Sequence, residues 1–357
     1  MTAGEEVGLL AELVAVPSVS GDEGAVAALV AATAAGWGID VEHDEAGVAI
    51  EIGGRAPGPT LAFVSHLDVV PPGDGWSRDP WEPVVDDGRL FGRGSGDAKA
   101  SVAAMLWAAR DVAGAGGPAR GRLLVLLGLG EETGDATIPE LVARTGPVDA
   151  AVVGEPTGLD LAIAQRGLLR LDLVAEGEQR HAAHGGDGAV NAILVLARDL
   201  VALDGVAHDR EHPLLGHPTV TPTTLAAGVG RNVTPPTARA TLDVRSTPAW
   251  SHAELADLVR GRVRSRVEIV SDRLVPCETP AGSRLLTVAR SVRPEAAVYG
   301  SPTCSDWVFV RHADALKCGP GESRLSHTPD ESVAIDDLTR ARGLYAGLAR
   351  AFLAAAS

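Results

Sequence analysis

The sequence predicts an α/β protein in which a larger domain, built on a mostly parallel sheet, carries an inserted ferredoxin-like α+β domain. Three observations predict this. At 357 residues the chain exceeds the usual size of one hydrophobic core. In its first part, continuous apolar runs of strand length alternate with helical patterns, which is typical of parallel strands covered on both faces. Between residues 168 and 245, apolar and polar residues alternate along the predicted strands, which is typical of a half-solvated sheet.

The elements of the larger domain follow in chain order. Residues 4–36 have a helical pattern that is broken near Pro17 and Gly21, and two short strands, IDVEHD and GVAIEIGG, come next. The segment AKASVAAMLWAARDVAGAG is predicted as a helix because its apolar residues recur at helical spacing. Buried strands are predicted before and after that helix, at 60–64, 122–130 and 149–154.

Six elements define the inserted domain. They are a strand, a helix, two strands, a helix and a strand, which is the β-α-β-β-α-β order of ferredoxin-like domains. They are predicted at 168–176, 188–204, PTVTPTTLAAG, 237–245, SHAELADLVRGRVRSR and VEIVSD. Helices and short apolar strands return from residue 276. We therefore predict one domain from 1–166 and 276–357, and an inserted domain from 167–275.

The composition disfavours several classes of partner. A formal net charge of −16 without a basic run argues against nucleic acid and anionic membranes. No apolar run is long enough to span a bilayer, and the acidic N-terminal segment is unlike a secretory signal, so we expect a cytoplasmic protein with a small-molecule partner. Cys277, Cys304 and Cys318 form no CxxC pair, which argues against a disulfide framework or a thiolate zinc site. We interpret them as small buried hydrophobic residues.

Acidic and imidazole side chains follow three of the predicted strands. His66 and Asp68 follow the run LAFV, Glu131 and Glu132 follow RLLVLLGLG, and Glu155 follows DAAVVG. Ligands of open parallel sheets bind outside the carboxyl ends of the strands, so we expect these side chains to converge.

Two further candidates lie in loops that contain glycine, Asp97 in GRGSGDAKAS and His327 in GPGESRLSHTPDE. Taken singly, each candidate has an ordinary interpretation as a solvated or capped side chain. Together, the carboxylates could not share a cleft without a cation, because like charges repel and burial penalises each of them. Imidazole and carboxylate without thiolate suit zinc, and also cobalt or manganese, and the number of carboxylates suggests two ions that share a bridging ligand.

Five motifs, in this order and spacing, resemble the di-zinc aminoacylase and deacylase superfamily, which includes acetylornithine deacetylase, succinyl-diaminopimelate desuccinylase, aminoacylase and related carboxypeptidases and dipeptidases. The motifs are SHLDVVP, DGRLFGRGSGDAK, GLGEET, VVGEPT and LSHTPDE. The resemblance implies a catalytic α/β domain, a ferredoxin-like lid domain inserted into it, and a homodimer formed through the inserted domain.

The resemblance also implies a role for each candidate. His66 and Glu155 would hold one zinc ion, Glu132 and His327 the other, and Asp97 would bridge the two. Asp68 would orient His66 through its other ring nitrogen, as such carboxylates commonly do. Glu131 would be the general base, and the peptide bond from Asp97 to Ala98 would be cis.

Candidates in the inserted domain are also implied by resemblance. In GEQRHAAHG, His181 matches the histidine that stabilises the oxyanion, with His184 as a competitor and a solvent-exposed loop histidine as the ordinary alternative. In GRNVTPPTARATLDVR, Asn232 and Arg245 match residues that bind the substrate carboxylate, a task that suits a planar guanidinium. Arg245 could instead be a polar residue on the outer face of its strand. Arg166 and Gly167 resemble a hinge, or form a plain linker.

The resemblance implies hydrolysis of an amide next to a carboxylate-bearing amine. The segment CGPGESRLSHTPDE favours deacetylation of N-acetylornithine or N-acetylcitrulline in arginine biosynthesis. A succinyl-diaminopimelate desuccinylase or carrier-lysine deacylase of lysine biosynthesis, a dipeptidase, and a non-catalytic binding relative remain alternatives. We assign no role to Thr303, Ser305 or Asp306 in GSPTCSDW.

Overall fold

The computed structural model describes residues 4–185 and 188–354, which divide into two compact units. The larger unit contains the chain up to Ile163, Thr279–Tyr299 and the chain from Ser305. The smaller unit contains Ala164–Glu278 and Gly300–Cys304. The sequence predicted an inserted domain at 167–275. In residues 4–185 and 188–354, no helix is both long and apolar enough to cross a membrane.

The helices and strands before the insertion include every element predicted there. In chain order they are α1 (Glu5–Ala15), α2 (Gly24–Gly36), β1 (Asp40–Asp44), β2 (Gly47–Gly53), β3 (Thr60–His66), β4 (Val84–Asp86), β5 (Arg89–Phe91), α3 (Lys99–Gly114), β6 (Arg122–Gly128), α4 (Ile138–Thr145), β7 (Ala150–Val153) and β8 (Leu161–Gln165).

The remaining elements belong to the insertion and to the chain after it. The first six are β9 (Gly167–Glu176), α5 (Ala192–Ala202), β10 (Thr219–Ala227), β11 (Thr237–Ser246), α6 (His252–Arg260) and β12 (Arg266–Leu274). After them come β13 (Cys277–Glu278), α7 (Arg284–Val292), β14 (Val298–Ser301), β15 (Asp314–Lys317), β16 (Ser332–Ala334) and α8 (Ile335–Phe352).

The sheet of the larger unit is parallel in its middle and antiparallel towards both edges. Its order is β1-β2-β6-β3-β7-β15-β8. Strands β6, β3, β7 and β15 pair in parallel, while β1 with β2, β2 with β6 and β15 with β8 pair antiparallel. The α/β class predicted from the sequence is therefore confirmed, and the continuous apolar runs correspond to the parallel strands at the centre.

The central strands are buried because helices cover them. Every residue of β3 is buried, and the Phe63 ring packs 5.2 Å from the Tyr345 ring of α8, measured between centroids. Helix α3 is buried on most of its surface, including Val102, Met105 and Leu106. A strand enclosed in this way is a rigid support for the residue at its end.

The smaller unit has one antiparallel sheet in the order β10-β11-β9-β12. Its element order is β-α-β-β-α-β, as in ferredoxin-like domains. The apolar positions of the alternating strands point into one core, where Leu171 of β9 and Leu242 of β11 are fully buried with Leu196 of α5 and Leu255 of α6. The outward positions carry polar residues such as Asp172 and Arg239.

Candidate metal centre

Three neighbouring strands bring the predicted ligands to one edge of the sheet. Strand β3 ends at His66, which pairs with Gly128 at the end of β6. Val64 pairs with Val153 at the end of β7, so Glu155 comes out beside His66. The Leu67 amide donates to the Gly128 carbonyl, which ties the loops after β3 and β6 together. The parallel register therefore juxtaposes residues that are distant in the chain.

Asp97 lies between two histidines, and each of its carboxylate oxygens faces one of them. Oδ1 lies 3.4 Å from Nε2 of His66, and Oδ2 lies 3.6 Å from Nε2 of His327. On the outer sides, His66 Nε2 is 3.8 Å from Glu155 Oε1, and His327 Nε2 is 3.0 Å from Glu132 Oε1. All five predicted ligands thus form one continuous series. Ligand atoms of His66, Asp97 and Glu132 lie within 4.8 Å of one another, which is compact enough to surround an ion.

Two glutamates of this cluster are destabilised as anions by their surroundings. Burial, followed by the charge of Asp97, raises the pKa of Glu155 to about 8. Burial and the charge of Glu155 also raise the pKa of Glu131 well above its ordinary value. Oε1 of Glu155 is buried without a hydrogen-bond partner among the described residues. A cation would satisfy these groups, and the imidazole and carboxylate donors suit a borderline metal such as zinc.

Asp68 connects two parts of the site. Its Oδ1 accepts a hydrogen bond from the Glu131 amide at 3.1 Å, and its Oδ2 accepts from the Glu132 amide at 3.0 Å and from the Ser20 hydroxyl at 2.7 Å. Nδ1 of His66 lies 3.4 Å from the same Oδ1 and 3.0 Å from the backbone carbonyl oxygen of Asp68. Asp68 therefore holds the turn that carries both glutamates as well as the ring of His66, and the sequence predicted only the second task.

A buried carboxylate that sequence reasoning did not select lies close to this cluster. Asp306 is 2% exposed, and its Oδ2 has no hydrogen-bond partner among the described residues. Burial raises its pKa to about 7, although the charge of His66 opposes that shift. The signal available in the sequence was one acidic residue before the apolar run WVFV, which is too common to be selected.

The peptide bond from Asp97 to Ala98 is cis, as the resemblance implies.

His181 and Asn232 lie on adjacent loops of the smaller unit. His181 pairs with Val233 in an isolated bridge, and the Ala182 amide donates to the Asn232 carbonyl at 2.8 Å. His181 and Asn232 are exposed, and Nδ1 of His181 accepts the Ala183 amide at 3.2 Å. This bond orients the ring, and because Nδ1 is the acceptor, the proton of the neutral ring is on Nε2.

Two guanidinium groups of the smaller unit lie near each other. Arg245 is half-exposed on β11 and donates to both carboxylate oxygens of Asp243, at 2.8 and 3.2 Å. Arg166 is half-buried and donates to the backbone carbonyls of Leu215, His217 and Arg245. Burial and the charge of Arg245 lower the pKa of Arg166. Arg166, interpreted from the sequence as part of a hinge or linker, therefore has a guanidinium group that backbone carbonyls hold in place.

Comparisons with known proteins agree with this geometry. The profile of peptidase family M20/M25/M40 matches residues 62–351. The chain is 31% identical to a succinyl-diaminopimelate desuccinylase of Phenylobacterium zucineum over 98% of this chain and 99% of the relative. It is 32% identical to one of Gluconacetobacter diazotrophicus, over 95% and 94%.

Solved structures of low sequence identity share the fold. An M20 family metallo-carboxypeptidase of Sulfolobus solfataricus superimposes with a TM-score of 0.80 at 19% identity, covering 98% of this chain and 99% of the other. A dinuclear metal-binding M20 peptidase of Bacillus subtilis superimposes with a TM-score of 0.73 at 16% identity, covering 96% of each chain.

The replacement Asp68→Asn tests the connection made by Asp68. Burial raises the pKa of Asp68, but hydrogen bonds from His66 and Ser20 outweigh it and lower the pKa from 3.8 to about 2. A carboxyl whose pKa is lower in the folded state stabilises the protein above its ordinary pKa and ceases to do so as the pH falls through the folded value. We therefore expect the variant to unfold about 1–3 kcal/mol more easily at pH 7, with the difference shrinking between about pH 4 and pH 2.

The same variant should bind zinc about tenfold to a hundredfold more weakly in a chelator competition. Asp199→Asn is the matched control, because Asp199 is also buried and accepts the backbone amides of Arg264 and Ser265. It should lower stability in urea unfolding and leave zinc affinity unchanged. Equal zinc affinity in wild type and Asp68→Asn would contradict the role assigned to Asp68.

Proposed function

We propose a reaction for this chain, which belongs to peptidase family M20/M25/M40 and is a metal-dependent amidohydrolase of that family. The protein removes an acyl group from an N-acyl amino acid, and its substrate is N-succinyl-diaminopimelate. The observation that carries the hydrolytic part is the series of five ligands around Asp97, with Glu131 adjacent to a ligand. The relatives named as desuccinylases favour the succinyl group over the acetylornithine expected from the sequence.

Divalent ions held by His66, Glu155, Asp97, Glu132 and His327 would lower the pKa of water towards neutrality and polarise the amide carbonyl. Glu131 accepts a proton from the attacking water on its carboxylate and donates it to the amide nitrogen as the amine leaves. Its pKa is raised, first by burial, which favours the uptake of a proton by this carboxylate. Asp68 keeps Glu131 and Glu132 on one turn, so that Glu132 holds the ion while Glu131 moves the proton.

Three residues of the smaller unit are assigned the roles that the family resemblance implies. His181, with its Nδ1 engaged, donates from Nε2 to the developing oxyanion. Asn232 and Arg245 bind a substrate carboxylate, and Arg166 adds a second guanidinium near Arg245. An anion between the two guanidinium groups would relieve their mutual repulsion. N-succinyl-diaminopimelate has one carboxylate on the acyl side and two on the amine side, whereas N-acetylornithine has a single carboxylate, and both carry a free cationic amine.

Replacement of the two adjacent glutamates separates base from ligand. Glu131→Gln should lower kcat by about 100-fold to 10,000-fold, because it removes general acid–base catalysis, and should retain zinc. Glu132→Gln is the matched variant and should lose zinc. Both are measured by steady-state kinetics and by zinc content after dialysis. Full activity of Glu131→Gln would rule it out as the base, and inactive wild type with zinc bound would indicate a binding relative.

A substrate panel tests the acyl group. With zinc or cobalt added, release of amine should give the highest kcat/KM on N-succinyl-diaminopimelate, compared with N-acetylornithine, N-acetylcitrulline, N-acetylmethionine and dipeptides. Arg245→Lys should raise KM for the succinyl substrate about tenfold, because lysine cannot donate two parallel hydrogen bonds to a carboxylate. A preference for N-acetylornithine would restore the arginine-pathway alternative, and no turnover of any acyl amino acid would refute the deacylase proposal.

We also propose that the protein is a homodimer joined through the smaller unit. Strand β10 is an edge strand, its residues are almost all exposed, and Thr219–Ala227 contains no charged residue. Natural edge strands are usually protected by charges, as on the opposite edge β12, which carries Arg266, Glu268 and Asp272. Helix α5 exposes Ile193, Leu194 and Val201 in the same unit. An uncharged edge of this kind suits pairing with its own copy.

A single lysine on this edge tests the dimer. Leu225 on β10 is 60% exposed, and Leu225→Lys should shift the protein from dimer to monomer in light scattering after size exclusion, because two like charges would meet at the interface. Val270→Lys on β12 is the control, since Val270 is 56% exposed on the opposite edge. A wild-type monomer, or a dimer that survives Leu225→Lys, would contradict the proposed interface.

A further inference from the structure

Behind the candidate metal centre lies a buried ion pair that the proposed reaction does not use. The carboxylate of Glu331 and the guanidinium of Arg93 are each 1% exposed, and Nη1 of Arg93 donates to Oε2 of Glu331 at 2.5 Å. Nη2 of Arg93 donates to the Pro72 carbonyl at 3.2 Å. A buried ion pair contributes little to stability compared with apolar residues of similar volume, so its presence here needs another reason.

The second oxygen of Glu331 binds the backbone that carries Asp97. Oε1 accepts the amide of Gly96 at 2.9 Å and the amide of Asp97 at 3.0 Å. The Gly92 amide donates to the backbone carbonyl of Glu331, so the same residue holds both ends of the segment from Gly92 to Asp97. Glu331 therefore fixes the main chain from which the carboxylate facing both histidines extends.

The other side of Asp97 is also held. Lys99 is buried, and its Nζ donates to the carbonyls of Leu13 and Val16, each at 2.9 Å. These carbonyls end helix α1, where the helix dipole favours a cation. Asp97 thus lies between Gly96, which is bound to Glu331, and Lys99, which is bound to the end of α1. Its position therefore depends on how far the Glu331 side chain reaches.

We propose that Glu331, held by Arg93, is a positioning residue that sets the place of Asp97 between His66 and His327 and so allows both metal ions to bind together. The inference rests on the proposed metal-dependent function. Arg93 neutralises Glu331, so the pair adds no net charge to a cluster that is already crowded with carboxylates. Glu331 acts through hydrogen bonds to two amides, which require its length more than its charge.

Two conservative variants separate length from charge. Glu331→Gln keeps the length and an acceptor for the Gly96 and Asp97 amides but loses the charge. Glu331→Asp keeps the charge and the ion pair with Arg93 but withdraws the carboxylate from the two amides. Glu6→Asp is the control, because Glu6 is a buried glutamate of the larger unit that accepts from Arg342 at 3.1 Å and from Thr339 at 2.8 Å.

Zinc binding to the purified full-length protein is measured by chelator competition and by zinc content, alongside the melting temperature of the zinc-free protein. Glu331→Asp should weaken binding of zinc about tenfold or more, as loss of a residue that orients a ligand commonly does, and Glu331→Gln should weaken it less. Glu6→Asp should lower the melting temperature without changing zinc affinity.

Several results would overturn the proposal. They are wild-type affinity in both Glu331 variants, weaker binding in Glu331→Gln than in Glu331→Asp, and a loss of affinity in Glu6→Asp that matches Glu331→Asp. A wild-type protein that binds no zinc would overturn the proposed function itself. The two failures are therefore distinguishable.

Discussion

Electrostatic repulsion among crowded, partly buried carboxylates is the constraint on which the rest of the structure depends. Asp97, Glu131, Glu132 and Glu155 converge at one edge of the sheet, where His66 and His327 lie beside them. Burial and mutual repulsion raise the pKa of Glu131 and Glu155, so a protein without a cation would hold these groups at a large electrostatic cost. A fold that assembles such a cluster must fix its members from behind, and the hydrogen bonds of Asp68 and Glu331 do so.

The two supporting carboxylates act in the same way. Asp68 accepts the amides of Glu131 and Glu132, and Glu331 accepts the amides of Gly96 and Asp97. In each case an acidic side chain binds the main chain next to a ligand and leaves the ligand's own oxygens free.

Much of this was accessible from the sequence because the signals were periodic or local. The α/β class followed from continuous apolar strands, and β9 and β11 begin and end within a residue of their predicted bounds because their alternation is strict. The ligands could be selected because strand ends in a parallel sheet meet at one edge. The antiparallel edges of the sheet were not visible, since strands such as β2 are as apolar as the central ones.

The contacts that the sequence could not provide are those made across long separations. Asp306 is a single acidic residue without a distinctive neighbourhood, and Glu331 ends the motif LSHTPDE, where nothing in the sequence indicates its bonds to the amides of Gly96 and Asp97. The bonds of Glu331 to Gly96 and of Asp68 to Glu132 join segments 235 and 64 residues apart. The sequence carried little information on the acyl group, because the segment used to choose between acetyl and succinyl lies around His327, which is a candidate metal ligand.

The inserted unit enters and leaves through strands that are hydrogen-bonded to each other, with Gln165 paired to Cys277 and Ala164 to Glu278. The chain between Gln165 and Cys277 can therefore be treated as one long loop whose two ends are already hydrogen-bonded to each other. The entropy of closing such a loop grows by only about 0.6 kcal/mol for each doubling of its length. Evolution could therefore lengthen, shorten or replace this module while the candidate metal centre of the larger unit stayed the same.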